Sequence, residues 1–389
     1  MRSEQQLHLN RRILIVGPSP PPFNGMSVMT QVLLHNLGEG IHLIHLDTAD
    51  RRDISNIGKL DLLNVLLALW HGLKFIYLLI VEHPDLVYVP ISQATLPFLR
   101  DCLFLLPTRL LRKPLVVHLH GGHFSTFYSA QKGVMAWIIR RALENANAIV
   151  LGQALVSAFD GIIPRHRVQV VPNGVSDCLE PGARERSSDH CFTVLYLSLL
   201  ASEKGVFDFL RAIPLIVRET QSCRFVFAGE WYRREERQEA VELIRTFAPM
   251  SCIDFVGSAG PSAKAELLNS ADVFVLPTYY PYEGQPCAIL EAMSAGLPII
   301  TTNAGCIAET VIHGLNGFIV EQKNPGAIAE SILLLYRDPM RRAKMGAASR
   351  ERFLANYTID RFSDRVAQVL TEAIDRDVIT DQARESSLF

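Results

Sequence analysis

The sequence lacks an excess of charge of either sign, with 38 Lys and Arg residues against 40 Asp and Glu. Because surfaces that bind nucleic acid need clustered basic side chains, this balance gives no reason to expect a nucleic-acid partner. The sequence also lacks any Cys-x-x-Cys pair, and its seven cysteines are scattered singly. Neither a disulfide framework nor a zinc site is therefore predicted, and a reducing cytoplasm is the expected location.

Motifs that would indicate a metal site or a leader sequence are also scarce. An Asp-x-Asp motif occurs only at Asp375-Arg376-Asp377, which we interpret as a solvated face of a terminal helix. No metal or other cofactor is therefore predicted. The N-terminus reaches its first apolar segment only at Ile13, and Gly17 and Pro18 soon interrupt it. This pattern favours a first strand over a signal peptide.

Apolar runs long enough to span a bilayer are nearly absent, and the exception is Leu62–Val81, LLNVLLALWHGLKFIYLLIV. Polar residues interrupt it and a strand-like segment follows at once, which favours a buried or surface-docked helix over a transmembrane span. Four basic residues lie nearby in the sequence: Arg100, Arg109, Arg112 and Lys113. Together with the apolar helix they are compatible with peripheral contact with anionic lipid at the inner membrane face. A core helix beside a solvated basic turn remains the alternative.

Short apolar runs alternate with helical segments along the chain, which at 389 residues is too long for one core. Strands buried on both faces and joined by helices indicate parallel, doubly wound sheets. Predicted strands of a first set are Arg12–Gly17, Ile41–Leu46, Leu86–Ile91, Leu115–Leu119, Ala148–Leu151 and Val168–Pro172. A second set comprises Phe192–Leu197, Arg224–Ala228, Ile253–Val256, Val273–Leu276 and Leu297–Thr301.

The polar stretch Ser176–His190 separates the two sets and is predicted to be a linker. The fold class expected is therefore α/β, with two Rossmann-like doubly wound domains facing a cleft. The first domain is predicted at residues 1–175, joined by a terminal helix at about 358–389, and the second at residues 176–357. Ligands of such sheets bind at the carboxyl ends of the strands.

The stretch Tyr279–Ile300 holds two glutamates, Glu283 and Glu291, separated by seven residues. Pro286 stands where a helix would begin, and Gly296 where it would end. Glu283 is then expected in the loop before this helix, and Glu291 about one and a half turns into it. A helix N-terminus has unpaired N–H groups and a positive dipole end, which bind phosphate. An ordinary loop glutamate and surface glutamate remain the alternative.

Four further residues lie at the ends of predicted strands or just beyond them. Gly25 opens a helix and lets the backbone approach a phosphate, although a plain tight turn would also explain it. Lys204 offers a point charge for a diphosphate, although such lysines are often solvated. His118 and His120 alternate along the end of one strand and should face the same side, although either can be a satisfied core histidine.

Together these residues resemble the retaining nucleotide-sugar glycosyltransferases of family 4, which have the GT-B fold. EGQPCAILEAMSAGLPII resembles the E-x7-E signature of that family, and ASEKGVFDFLRA resembles its lysine-bearing loop. VVPNGV and TNAGCIAETVIHGLNGFIV resemble two further segments. The resemblance covers nearly the whole second half and is sparser over residues 1–150.

The resemblance implies that the first domain binds the acceptor and that the donor is bound mainly by the second domain. The catalytic residues would be Glu283, His120 and Lys204. Glu291 would accept hydrogen bonds from ribose hydroxyls, and Glu283 would contact the sugar. The diphosphate would be held by Gly25, Lys204 and the Gly284–Ala288 segment, with the amides of Gln285, Cys287 and Ala288. Such enzymes commonly carry an arginine where this chain has Leu199, a glycine pair at Asn24-Gly25, and glycine at Cys306.

The function expected is transfer of a sugar, with retention, from a nucleotide diphosphate to a glycan or lipid-linked acceptor in cell-surface polysaccharide or glycolipid synthesis. UDP and GDP are the expected nucleotides, and the sequence names neither the base, the sugar, the acceptor nor the oligomeric state. The absence of the arginine at Leu199 keeps a non-catalytic binding or scaffold protein open as an alternative. A phosphorylase or epimerase on the same fold is a third interpretation.

Overall fold

The computed structural model describes residues 11–21, 25–38, 40–51, 62–179, 191–220, 222–246 and 252–386, with side chains of the last helix as far as Arg376. Asn24 and positions 180–190 of the predicted linker lie outside the described residues. The chain divides into two compact units, Met1–Asn173 with Ile359–Phe389, and Gly174–Thr358. The sequence placed these divisions at residues 175/176 and 357/358. The acceptor and donor roles given to the two domains stay predictions.

The described part of the first unit contains one sheet of six parallel strands. The strands are β1 (Arg11–Gly17), β2 (Ile41–Asp47), β3 (Leu86–Pro90), β4 (Leu115–Leu119), β5 (Asn147–Val150) and β6 (Val168–Val170), in the spatial order β2-β1-β3-β4-β5-β6. The helices are α1 (Gly25–Asn36), α2 (Leu62–Val81), α3 (Thr95–Leu110), α4 (Phe124–Ser129) and α5 (Gly133–Leu143). Strands β3, β4 and β5 are buried along their whole length, as their apolar runs require.

The described part of the second unit contains a second sheet of six parallel strands. The strands are β7 (Phe192–Leu197), β8 (Cys223–Ala228), β9 (Ile253–Gly257), β10 (Val273–Leu276), β11 (Ile299–Thr302) and β12 (Gly317–Val320), in the spatial order β12-β11-β10-β7-β8-β9. The helices are α6 (Val206–Val217), α7 (Arg234–Arg245), α8 (Pro261–Ser270), α9 (Cys287–Ser294), α10 (Ile307–Thr310), α11 (Pro325–Arg337) and α12 (Pro339–Asn356). The final helix, α13 (Ile359–Ser386), packs on α1, β3 and β4 of the first unit.

The strand order of each sheet determines where a ligand can be held. In the second unit the chain runs outward in one direction from β7 and in the other from β10, and these two strands are neighbours. The loops that follow them leave toward opposite faces of the sheet, which opens a crevice at their carboxyl ends. In the first unit the equivalent point lies between β1 and β3. Loops after these four strands therefore occupy the positions at which doubly wound sheets bind ligands.

Every predicted strand is present, with boundaries shifted by at most two residues. The sequence missed β12, which is only four residues long and lies at the edge of its sheet. Helix α2 spans the predicted residues. Asp375 of the Asp-x-Asp motif is half-exposed and pairs with Arg11 of β1 at 2.7 Å, so this carboxylate ties the last helix to the sheet.

Candidate functional site

Helix α9 places the E-x7-E stretch at the carboxyl end of β10. Pro286 is its N-cap residue, and Gly296 follows its end with a φ of 65°. Gly296 and Leu297 donate backbone hydrogen bonds to Met293 and Ala292 at 2.9 and 3.0 Å, which is a Schellman C-terminus. The proline start and glycine end therefore confirm the predicted helix. The loop that carries Glu283 leads directly into the N-terminus of this helix.

Lys204 and Glu283 form an ion pair at the junction of β7 and β10. The Lys204 Nζ lies 2.7 Å from Glu283 Oε2, and the hydroxyl of Thr278 donates to the same oxygen at 2.8 Å. The lysine nitrogen also stands 4.5 Å from the ring centroid of Tyr280, a cation–π contact. Both charged side chains are mostly buried, with 17% and 8% of their area exposed. A buried charge pair therefore links the two loops of this crevice, beside a backbone hydrogen bond from Tyr279 to Glu203 at 2.8 Å.

Two glycines let these loops approach the backbone beside them. Gly205 follows Lys204 with a φ of 78°, and a Cβ there would lie 2.2 Å from the carbonyl oxygen of Pro277. Gly305 has a φ of 53°, and its Cβ would lie 2.3 Å from the carbonyl oxygens of Glu283 and Gly284. A side chain at either position would collide with backbone atoms, which cannot move aside cheaply. Close loop packing therefore fixes the position of the Lys204–Glu283 pair.

Glu291 pairs with a second lysine, Lys264 of α8. The Glu291 side chain is 14% exposed and the Lys264 side chain 29%. Cys287, one turn before Glu291, has its thiol pKa raised to about 12, chiefly by burial and then by the negative charge of Glu291. The negative charge of Glu283 also raises the pKa of this thiol. The thiol is therefore neutral, and both carboxylates lie close enough to Cys287 to influence it.

Other residues of the predicted set take supporting positions. The side chain of Gln285 is buried and donates to the hydroxyl of Thr310 on α10 at 2.9 Å. The carbonyl of Gly284 accepts from the backbone N–H of Cys306 at 2.8 Å. Ala288 lies in the first turn of α9 and is partly buried. The structure therefore joins this loop to the start of α10, while the assignment of its amides to a diphosphate stays a prediction.

In the first unit, His118 and His120 stack on each other with ring centroids 3.9 Å apart. This contact confirms that the two side chains face the same side. Tyr88 of β3 lies 2.5 Å from His118 Nδ1. Burial raises the pKa of Tyr88, so the phenol stays protonated and donates to Nδ1. His118 Nε2 is buried without a hydrogen-bond partner in the described part of the chain.

Both histidines are held in the neutral form. Burial lowers the pKa of His120 to about 4, and burial followed by the neighbouring His120 lowers the pKa of His118 well below its usual range. His120 is partly exposed, whereas His118 is fully buried. His120 is therefore the accessible member of the stack, and His118 fixes its ring from behind.

The stability of the protein should fall as the pH is lowered from 6.5 toward 4. In this window the unfolded chain protonates these histidines and the folded chain does not, so each contributes at most about 1.4 kcal/mol of lost stability per pH unit. Denaturant unfolding at pH 7, 6 and 5 measures the slope of the free energy of unfolding against pH. His118→Asn should make this slope shallower. His35→Asn, on the exposed side of α1, is the control and should leave the slope unchanged. Equal slopes for wild type and His118→Asn would contradict the assignment.

Gly25 is the first residue of α1, just beyond β1. A Cβ at this position would meet no described atom within 4 Å, so packing among the described residues does not require glycine there. The loop before it is braced by Asp47, at the end of β2, which accepts hydrogen bonds from the backbone and hydroxyl of Ser19 at 3.0 and 2.7 Å. The open space is compatible with close approach of a ligand to the Gly25 backbone.

Leu199 occupies the position of the expected arginine, just after β7, and its side chain is 41% exposed. Sequence reasoning missed Thr278, Tyr280 and Lys264, which contact the two glutamates. Thr278 gave a usable signal because it is a polar residue two positions beyond the end of a buried strand. Lys264 gave none, because its partner lies 27 residues further along the chain.

Comparisons with known proteins show which families and folds this chain is similar to. Residues 183–352, less than half of the chain, match the family model described as glycosyl transferases group 1. The second half of the chain resembles a group 1 glycosyl transferase. The glycogen synthase of Mycobacterium tuberculosis is 26% identical over 257 residues, covering 65% of this chain and 60% of that enzyme. A GDP-mannose-dependent alpha-(1-6)-phosphatidylinositol monomannoside mannosyltransferase of the same organism is 31% identical over 187 residues, covering 46% of this chain and 47% of that enzyme.

The chain thus spans less than two thirds of the length of these curated relatives. Among solved structures, HepE of Anabaena in complex with UDP superposes with a TM-score of 0.72 at 17% identity, over 93% of this chain and 100% of that chain. At such identity the likeness shows the fold. The predicted fold class, two Rossmann-like doubly wound units as in GT-B glycosyltransferases, is confirmed.

Proposed function

We propose that this protein is a retaining glycosyltransferase that moves a sugar from a nucleotide diphosphate to a glycan or lipid-linked acceptor. One observation carries the proposal: the crevice between β7 and β10 brings Lys204, Glu283 and the N-terminus of α9 together. Two positive features beside a buried carboxylate suit a ligand that joins a diphosphate to a hydroxylated sugar. The match of residues 183–352 to group 1 glycosyl transferases supports the same reaction class.

The contacts of the two glutamates support different roles for them. Glu291, which lies on α9 and pairs with Lys264, would accept hydrogen bonds from the ribose hydroxyls of the donor. Glu283, which lies in the loop before the helix, would contact the sugar. Lys204 and the α9 amides would stabilise the charge that develops on the departing diphosphate. His120, neutral at physiological pH, would contact the transferred sugar from the first unit and accept a hydrogen bond from it.

Retention is proposed to proceed by attack from the side of the leaving group. A double displacement needs a carboxylate free to attack the anomeric carbon. Glu283 Oε2 instead accepts hydrogen bonds from both Lys204 and Thr278, which suits a residue that orients the donor. A diphosphate oxygen would then take the proton of the acceptor hydroxyl. We propose that the lysine and the helix N-terminus neutralise the phosphates without a metal ion.

The acceptor is proposed to be a glycan or a lipid-linked sugar. One relative is named as a phosphatidylinositol monomannoside mannosyltransferase, which supports the lipid-linked choice. The donor nucleotide is proposed to be UDP or GDP. HepE of Anabaena was solved with UDP, and the mannosyltransferase is named as GDP-mannose-dependent. These two names support one nucleotide each, so the base has to be determined by experiment.

A thermal-shift panel with UDP, GDP, ADP and their sugars tests the proposal. One nucleotide at a hundred times its dissociation constant should stabilise the protein by about 2.7 kcal/mol, and the other two should not. Slow donor hydrolysis without acceptor should accompany binding. Glu291→Ala should reduce the stabilisation at the same nucleotide concentration to about 0.4 kcal/mol, because a hundredfold weaker affinity brings the dissociation constant up to that concentration. Glu242→Ala on the exposed face of α7 serves as the control.

The rival functions give different results in the same assays. Nucleotide binding without any hydrolysis or transfer would favour a non-catalytic protein. That alternative is suggested by Leu199, which stands where an arginine is expected. Dependence on free phosphate, or interconversion of the nucleotide sugar alone, would favour a phosphorylase or an epimerase. If none of the nucleotides shifts the melting temperature, the proposed function is wrong.

A further inference from the structure

Helix α2 carries a large apolar surface that faces outward. Its inward side is formed by His71, Gly72, Phe75 and Leu79, which are buried. Of the residues that are exposed in α2, Lys74 alone is charged, and the others are apolar: Leu62, Leu63, Val65, Leu66, Leu69, Trp70, Leu73, Ile76, Tyr77, Ile80 and Val81. A helix on the surface of a water-soluble domain normally presents charged and polar side chains on this side. We call these exposed apolar residues the α2 face.

The α2 face continues onto the neighbouring helix. Helix α2 packs on α3, where Leu103 approaches the position of a Gly72 Cβ to 3.4 Å. A groove of about 530 Å³ lies between the two helices. Arg109 and Arg141 line it together with seven apolar residues: Ile76, Leu79, Ile80, Leu106, Pro107, Leu110 and Leu111. Leu110 is 83% exposed. The continuous apolar surface is therefore wider than one helix.

Basic residues accompany this apolar surface. Residues 62–144 hold eight Lys and Arg against four Asp and Glu, whereas the whole chain has a net charge of −2. Lys74 and Arg112 are exposed. Glu144 pairs with both Arg109 and Arg141, and Glu82 pairs with Arg12 of β1. Lys74 therefore adds a positive charge to the exposed side of α2, and Arg112 adds another directly after Leu110 and Leu111 of the groove.

We propose that the α2 face and the groove beside it dock this protein on the surface of an anionic lipid bilayer, with α2 lying in the plane of the membrane. Apolar side chains enter the boundary between headgroups and acyl chains, and the basic residues contact lipid phosphates. A second copy of the chain is disfavoured because two surfaces of the same positive charge would repel each other.

Helix α2 is also the one helix in the described residues that is long and apolar enough to cross a membrane. A span would conflict with the fold. Helix α2 joins β2 to β3, and both strands flank β1 in a single sheet. Spanning would also remove Phe75 and Leu79, which are 0% and 1% exposed, from the core of the unit. The in-plane orientation keeps both connections and the buried side intact.

Vesicle cosedimentation of the full chain tests the proposal without any donor or acceptor, so its result is independent of the proposed transferase activity. Binding is expected to vesicles of phosphatidylcholine with phosphatidylglycerol, to fall at high salt, and to be weak on phosphatidylcholine alone. Leu66→Glu with Leu73→Glu should abolish binding. Lys74→Gln with Arg112→Gln should weaken it by about 25-fold, since each basic residue near an anionic surface is worth about fivefold.

The control carries two glutamates at exposed apolar positions of the second unit, Met340→Glu with Leu354→Glu, and should bind vesicles as wild type does. The depth to which α2 enters the bilayer is measured by quenching of tryptophan fluorescence with brominated lipid. The chain has three tryptophans, Trp70, Trp137 and Trp231. A variant that keeps only Trp70 should be quenched, and one that keeps only Trp231 should not be, with the others replaced by phenylalanine.

Three results would overturn the proposal. One is equal vesicle binding by wild type and the Leu66→Glu/Leu73→Glu variant when both are folded by circular dichroism. Another is a dimer in light scattering that the same substitutions dissociate, with no vesicle binding, because the face would then be an interface between copies. The third is membrane association that resists high salt and alkaline carbonate, which would indicate a span.

Discussion

Lys204→Ala is expected to lower donor turnover at least about a hundredfold, which corresponds to about 3 kcal/mol of transition-state stabilisation. Lys204 is a cation at the crevice between β7 and β10, and the leaving diphosphate gains charge in the transition state. The same substitution leaves the buried Glu283 carboxylate with the Thr278 hydroxyl as its donor and without a compensating charge, so the free energy of unfolding should also fall, by about 3 kcal/mol. Steady-state kinetics with saturating donor and denaturant unfolding measure the two effects.

A double variant separates the loss of chemistry from the loss of stability. Lys204→Met with Glu283→Gln removes both charges together, so much of the stability should return while turnover stays low. Arg224→Ala is the matched control, because Arg224 and Asp254 form a 2.6 Å ion pair on the exposed side of the same sheet. Its loss should cost no more than about 1 kcal/mol and leave turnover unchanged. Wild-type turnover in Lys204→Ala would reject the role assigned to this residue.

Glu291→Ala is expected to weaken nucleotide binding by roughly a hundredfold, because two hydrogen bonds from ribose hydroxyls to a charged acceptor are lost. The ribose is bound in the ground state and the transition state alike, so kcat should change much less than KM. Isothermal titration calorimetry with the nucleotide identified by thermal shift measures the affinity. Folding should be affected little, since Lys264 is 29% exposed and can turn to solvent.

Lys264→Met distinguishes support of Glu291 from direct recognition of the ligand. If Lys264 only holds the carboxylate in place, affinity should fall less than in Glu291→Ala, because ribose hydroxyls can donate to Glu291 in its stead. An equal fall in both variants would assign Lys264 a contact with the nucleotide itself. Nucleotide binding by Glu291→Ala with unchanged affinity would remove Glu291 from the site.

The positions of Gly25, His120, Lys204 and Glu283 could be predicted from sequence because each follows an apolar run that forms a buried strand. The boundaries of α9 followed from Pro286 and Gly296, whose backbone preferences act locally. Helix α2 was equally clear from its length. In each case the sequence signal comes from residues that are neighbours along the chain. The edge strand β12 was missed because its four residues are too few to give a recognisable apolar pattern.

Tertiary structure alone decided which charges meet. The sequence shows Lys204 and Glu283 as residues 79 positions apart, and only the neighbouring placement of β7 and β10 brings them to 2.7 Å. The same holds for Lys264 with Glu291 and for Tyr88 with His118. The outward orientation of the apolar α2 side chains is likewise decided by packing on α3. Local patterns fix where strands and helices form, whereas contacts between distant residues depend on strand order, which the burial of all elements together selects.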